Sequence, residues 1–167
     1  GDRRKRQPMT GHSETPWDDD KLHEECGVFG IFDHADAGAL AVLGLHALQH
    51  RGQEAAGIVS FDGRRFHSER RMGLVGDNFS KRSVIDRLAG NTAIGHTRYS
   101  TVGKSGSTAD VQPLVLNYPY GIGMAHNGNL VNYYDLVEKL RREKHRMPLT
   151  TTDLEVLENL LADALLE

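Results

Sequence analysis

From residue 26 onward, short apolar runs alternate with segments whose apolar residues recur at helical spacing. CGVFGIF, residues 26–32, is bounded by charge and reads as a buried strand. Ala37, Leu40, Leu43, Ala47 and Leu48 share one face at 3.6 residues per turn, which predicts a helix capped by Asp36 and running to His50. His50 and Arg51 would sit in its last turn, and Gly52 suits a left-handed stop. AAGIVSF and RRFHSE flank Asp62-Gly63, which predicts a hairpin with a two-residue turn. A short helix is expected from Ser83 to Leu88, stopped at Gly90, and TAIGHTRYS reads as a strand. VGKSGSTAD is too rich in Gly and Ser to pack and is expected to be a mobile loop. PLVLNYPYGIGMAH predicts two strands around an Asn117–Gly121 turn, ended sharply by Asn127-Gly128. Asn132 should cap a helix with Tyr133, Leu136, Val137 and Leu140 inward. Thr152 and Glu155 have capping-box spacing for a last helix, whose apolar residues are Leu154, Leu157, Leu160, Leu161 and Leu165.

Hairpins dominate, and helices are not regularly interleaved with strands, so the pattern predicts an antiparallel α+β domain. Residues 1–25 differ: apart from Trp17 and Leu22 they are largely polar or charged, and they read as a flexible leader. The expected organisation is a leader over 1–25 and a folded domain over 26–167. The chain stops within or just after a helix, so that domain is expected to be incomplete at its C-terminus. The 167 residues carry a formal charge of −3, which gives no overall pull toward nucleic acid or anionic membranes. The basic GDRRKR start is a possible nucleic-acid contact, but Asp18, Asp19 and Asp20 lie close behind, favouring a solvated tail. No run approaches the roughly 20 apolar residues that span a bilayer, and no secretory core is evident. A single cysteine excludes an internal disulfide and favours a reducing, cytoplasmic setting.

That cysteine carries the candidate chemistry. Cys26 stands at the boundary between leader and domain. Cleavage before it would give one residue both a thiol and an α-amine of pKa roughly 7.7–8.0, a base suited to neutral pH. Alone, a lone cysteine is more often a small buried hydrophobe. Attack on an amide also needs oxyanion donors and a grip on substrate. Asn127-Gly128 offers a side-chain amide beside a main-chain N–H in a tight turn. Arg98, at a strand end, has the fork that fits a carboxylate. Asp153, in the first helical turn, could hold an ammonium or simply favour the helix dipole. His96 and His126 precede these motifs and could position loops, or serve as base in a Cys-His pair. His46 and His50 are four apart but lack the partners of a zinc site, so no metal site is expected in this chain. Gly103-Lys104-Ser105 fails as a phosphate loop because the glycine required five residues earlier is Arg98.

CGVFGIF, LQHRGQEAAGI, GHTRYST, HNGNL and TTDLEVL, in this order, resemble the glutaminase domain of class II glutamine amidotransferases. The match is best with the amidophosphoribosyltransferase family, which opens purine biosynthesis. Other class II families fit less well: glucosamine-phosphate synthases show RGYDSAG, and asparagine synthetases RGPD, where this chain reads RGQEAAG. The resemblance implies a four-layer αββα sandwich of the N-terminal-nucleophile hydrolase type. It implies Cys26 as nucleophile with its own α-amine as base, and Asn127 and Gly128 as oxyanion hole. Arg98 and Asp153 would hold the α-carboxylate and α-ammonium of glutamine, and Arg51, Gly52, Tyr99 and Thr101 would line its site. Residues 99–112 would form a flap. The resemblance further implies a phosphoribosyltransferase domain in the full-length protein, which is then a homo-oligomer and uses Mg2+ and, in some members, a 4Fe-4S cluster. One cysteine cannot hold such a cluster, so no cofactor is expected in this chain. With its leader attached, the chain is expected to be inactive. The competing readings are the glutaminase domain of another class II amidotransferase, a non-catalytic binding fragment and a nucleic-acid module.

Overall fold

The structure, a computed structural model, describes residues 26–51, 54–98 and 107–167. Its main sheet has four antiparallel strands in the order β1-β4-β2-β3, namely β1 (Gly27–Ile31), β4 (Thr92–Arg98), β2 (Ala55–Phe61) and β3 (Phe66–Met72). A second sheet pairs β5 (Leu114–Leu116) with β6 (Ile122–Met124). The helices are α1 (Ala37–Ala47), α2 (Val75–Phe79), α3 (Arg82–Arg87), α4 (Tyr133–Glu143) and α5 (Asp153–Ala164). The antiparallel α+β class therefore agrees with the sequence pattern. Among the described helices none is long and apolar enough to cross a membrane.

Alternation along the strands sorts their residues between two faces. Ala56, Ile58 and Ala93 join Ala37, Ala41 and Leu45 of α1 in the main core. The opposite face of β2 is covered too, since Gly57 abuts the Gln112 carbonyl and Val59 lies near Gly123. This double cover explains why β2 is buried over Ala55–Ser60 and reads as nearly continuous apolar sequence. By the same alternation Ile94, His96 and Arg98 point away from α1, toward the second sheet. On that side α5 packs against β5 and β6, and α4 packs against α5.

Several expected details change. The face of α1 that is buried is Ala37, Gly38, Ala41 and Leu45, whereas Leu43 is 64% exposed. The helix lies too close to the sheet for a leucine stripe: a Cβ on Gly44 would meet the Phe29 ring at 2.5 Å. Asp36 makes no side-chain cap; its main-chain N–H donates to His34 Nδ1 instead. The hairpin loop is longer than two residues, because the ladder closes at Phe61 and Phe66. Asp62 Oδ1 accepts from the N–H groups of both Arg64 and Arg65, which stabilises the four-residue loop. Helix α2 is additional to the expected elements, and the expected mobile loop ends in a 3-10 turn over Thr108–Asp110. Residues 102–106 of that loop lie outside the described ones.

On α5, Leu161 and Leu165 are exposed, while Glu158 and Asn159 are buried. Thr152 Oγ1 accepts from the Glu155 N–H as a cap should. Glu155 departs from the capping box, reaching back to the N–H groups of Leu149 and Thr150 rather than to that of Thr152. On α4 Leu140 is fully buried while Tyr133, Leu136 and Val137 are half-buried, and Asn132 precedes the helix without a side-chain cap bond.

Candidate active site

Five of the sequence-selected residues, drawn from four segments, meet on one cleft of about 830 Å³. Cys26, Arg98, Asn127, Gly128 and Asp153 all line it, along with His96, Gln112, His126 and Tyr133. Each arrives for a local reason. Cys26 directly precedes β1. Arg98 ends the adjacent strand β4, on the face turned from α1. Asn127 and Gly128 follow β6, where the chain leaves the small sheet, and Asp153 opens α5 just after the Thr152 cap.

Hydrogen bonds tie these segments together. Asn127 Nδ2 donates to the Cys26 carbonyl at 3.2 Å, linking residues 101 positions apart. The His126 N–H donates to Gln112 Oε1 at 2.7 Å, and the Leu130 N–H donates to Asp153 Oδ2 at 3.1 Å. The loop carrying Asn127-Gly128 is thus held from both sides. Arg98 Nε lies 3.7 Å from Glu54 Oε2, close enough for attraction but beyond a hydrogen bond. Among the described residues this leaves guanidinium donors for a ligand.

His96 is 2% exposed, and neither ring nitrogen has a partner of good hydrogen-bond geometry. Burial, aided by the nearby Arg98 charge, pushes its pKa down to about 4, so the imidazole is neutral near pH 7. Burial likewise raises the Tyr133 phenol, assisted by Glu155. Among the described residues no group of three or more His, Cys, Asp or Glu is placed to hold a metal. His46 and His50 are both exposed on the outer surface.

Arg51 ends a 3-10 turn over Gln49–Arg51. Gly52, Tyr99 and Thr101 lie outside the described residues. Sequence reasoning missed Glu54, and it had Gln112 only as the end of the expected flap. Glu54 sits in the RGQE stretch beside Arg51 and could have been noticed, whereas nothing local marks Gln112 as a support for residue 126.

Chemically, the cleft combines a thiol, a guanidinium, a carboxylate and a turn with amide donors. That set suits a small molecule bearing a carboxylate, an ammonium and a carbonyl to be attacked.

No protein-family model matches the chain. It is 53% identical over 151 residues to an amidophosphoribosyltransferase of Rhizobium etli, covering 90% of this chain and 30% of that protein. A chloroplastic amidophosphoribosyltransferase of Vigna aconitifolia is 48% identical over 146 residues, covering 87% of this chain and 30% of its own length. The Escherichia coli amidophosphoribosyltransferase is 45% identical over 141 residues, with coverages of 84% and 28%. A solved structure described as the allosteric regulatory enzyme of purine biosynthesis superposes with a TM-score of 0.73 at 40% identity, over 80% of this chain and 29% of that one. The glutamine phosphoribosylpyrophosphate amidotransferase from B. subtilis, complexed with ADP and GMP, gives 0.71 at 39% identity, over 80% of this chain and 28% of its own. The chain is homologous to these amidophosphoribosyltransferases over most of its own length and spans about 30% of theirs.

Proposed function

We propose that the cleft hydrolyses glutamine and supplies the ammonia to a phosphoribosyltransferase domain, which makes 5-phosphoribosylamine for purine biosynthesis. The observation that carries this reading is the convergence of Cys26, Arg98, Asn127, Gly128 and Asp153 on one cleft. Charge and reach assign the roles. Arg98 takes the α-carboxylate, Asp153 the α-ammonium, and Asn127 Nδ2 with the Gly128 N–H the oxyanion. Arg51, Gly52, Tyr99 and Thr101 are proposed to complete the pocket. The two sheets between helices are proposed as the αββα arrangement of N-terminal-nucleophile hydrolases.

Removal of residues 1–25 frees the Cys26 amine. That amine takes the thiol proton as sulfur attacks the γ-carboxamide carbon. The collapsing adduct expels ammonia, which carries that proton away, and leaves a thioester. Water, deprotonated by the same amine, then cleaves the thioester to glutamate and restores the thiol. With the leader in place the nitrogen is an amide, which is no base, so the uncut chain is inactive.

The test compares ammonia release from glutamine by the uncut chain and by the chain starting at Cys26. Activity is expected only in the second, is abolished by Cys26→Ala, and falls about 10²–10³-fold in turnover with Asn127→Ala. Full activity with residues 1–25 attached, or ammonia release surviving Cys26→Ala, contradicts the assignment.

A further inference from the structure

We propose that His126 is a positioning residue that sets the distance between the two ends of the substrate site; this rests on the glutamine reading above. Its ring lies between the groups assigned to the opposite ends of the ligand. One edge faces α5, with Nδ1 3.7 Å from Asp153 Oδ1. That nitrogen is buried and makes no hydrogen bond, so it meets the carboxylate by proximity alone. The other edge is packed against the Cα of Gly128: a Cβ added there would lie 2.7 Å from His126 Nε2 and 3.1 Å from Cε1. The residue's own N–H is anchored on Gln112 Oε1.

The imidazole therefore acts as a spacer. It keeps the oxyanion corner a fixed distance from the carboxylate that grips the amine, and a misplacement of about 1 Å in such a register can cost roughly 10² in rate. Its two edges have separable effects. The edge toward Asp153 governs how well the amine end is held. The ring under Gly128 governs where the oxyanion donors stand when the carbonyl is attacked.

The experiment measures kcat and KM for glutamine in the chain starting at Cys26, with two replacements. His126→Phe keeps a ring under Gly128 and removes the nitrogen facing Asp153. It is expected to raise KM about tenfold while kcat stays within about threefold. His126→Asn keeps a polar atom toward Asp153 and removes the ring. It is expected to lower kcat by about 30-fold or more with KM nearly unchanged. A collapse of kcat in His126→Phe would mean proton transfer by the imidazole and overturns the spacer role. So would the same pattern in both variants, or no effect in either. A separate measurement needs no variant: glutamate added to the parent should shift the His126 ring resonances, and unchanged resonances also overturn the proposal. A parent that binds and turns over glutamine while these outcomes fail refutes the spacer alone; an inactive parent refutes the glutamine reading and the spacer with it.

Discussion

Gly57 tests how the core strand supports the site. It lies in β2 on the face turned from α1, where an added Cβ would come 2.1 Å from the Gln112 carbonyl oxygen and 2.9 Å from its carbon. Ordinary contact begins at 3.4 Å, so Gly57→Ala requires a displacement of about 1.3 Å. The obstacle is backbone and cannot swing aside as a side chain would. Overpacking of this kind costs about 1–3 kcal/mol, less about 0.5–1 kcal/mol recovered because alanine has less chain entropy to lose. The net expectation is a destabilisation of up to about 2.5 kcal/mol, read as a lower urea midpoint at unchanged slope.

The same displacement should reach the chemistry. Gln112 holds the His126 N–H, and residue 127 bonds the Cys26 carbonyl, so moving residue 112 moves the oxyanion corner. Glutaminase turnover is expected to fall by about tenfold or more even where the protein remains folded. Gly30→Ala is the control. Its Cβ would meet only Ile94 Cγ2, at 3.7 Å, so stability should change by no more than about 0.5 kcal/mol. A Gly57→Ala protein as stable and active as the parent, or an equal loss at Gly30, would refute the argument.

Buried Glu158 is pushed up to about 7 by its burial, with repulsion from Glu155 adding to this and a main-chain hydrogen bond at Leu116 opposing it. Because the folded value lies above the unfolded one, folding is favoured most below about pH 4.5, and that advantage is lost as pH rises through about 7. Glu158→Gln should therefore add roughly 2–3 kcal/mol at pH 8 and little at pH 4.5, measured by urea unfolding at both. His96 behaves oppositely: its folded value of about 4 lies below the unfolded one, so its contribution is complete above about pH 6.5 and is lost as pH falls through 4. His96→Gln should flatten the acid limb of the stability profile, and an unchanged limb would show that another group controls it. Thr152→Ala removes the oxygen that caps α5 and should cost about 1 kcal/mol, seen as a lower thermal midpoint.

The positions of the strands were largely legible because each apolar run is short and bounded by turn residues. AAGIVSF was clear for a further reason: both its faces are covered, so no polar alternation interrupts it. The residues at 26, 98, 127, 128 and 153 were legible as candidate chemistry only together: each alone has an ordinary structural reading, and the five motifs in order carried the resemblance that assigned their roles. The inward face of α1 was misread. Leucine is the stronger burial signal in composition, but close packing selects small residues instead: Ala37 and Ala41 lie in the core, and Gly38 abuts Leu88. On α5, Asn159 is buried because Arg146 and the Glu155 carbonyl satisfy its amide.

What the sequence determined by itself was the set of local elements and the reactive groups they carry, since turn chemistry, caps and apolar period act over a few residues. Only the tertiary structure decided which of those groups share a cleft and what holds them there. The Asn127 bond to Cys26, the Gln112 bond to His126 and the contact of Gly57 with residue 112 join segments with no local relation. Their geometry is set by how two sheets stack, and no short stretch of sequence contains that information.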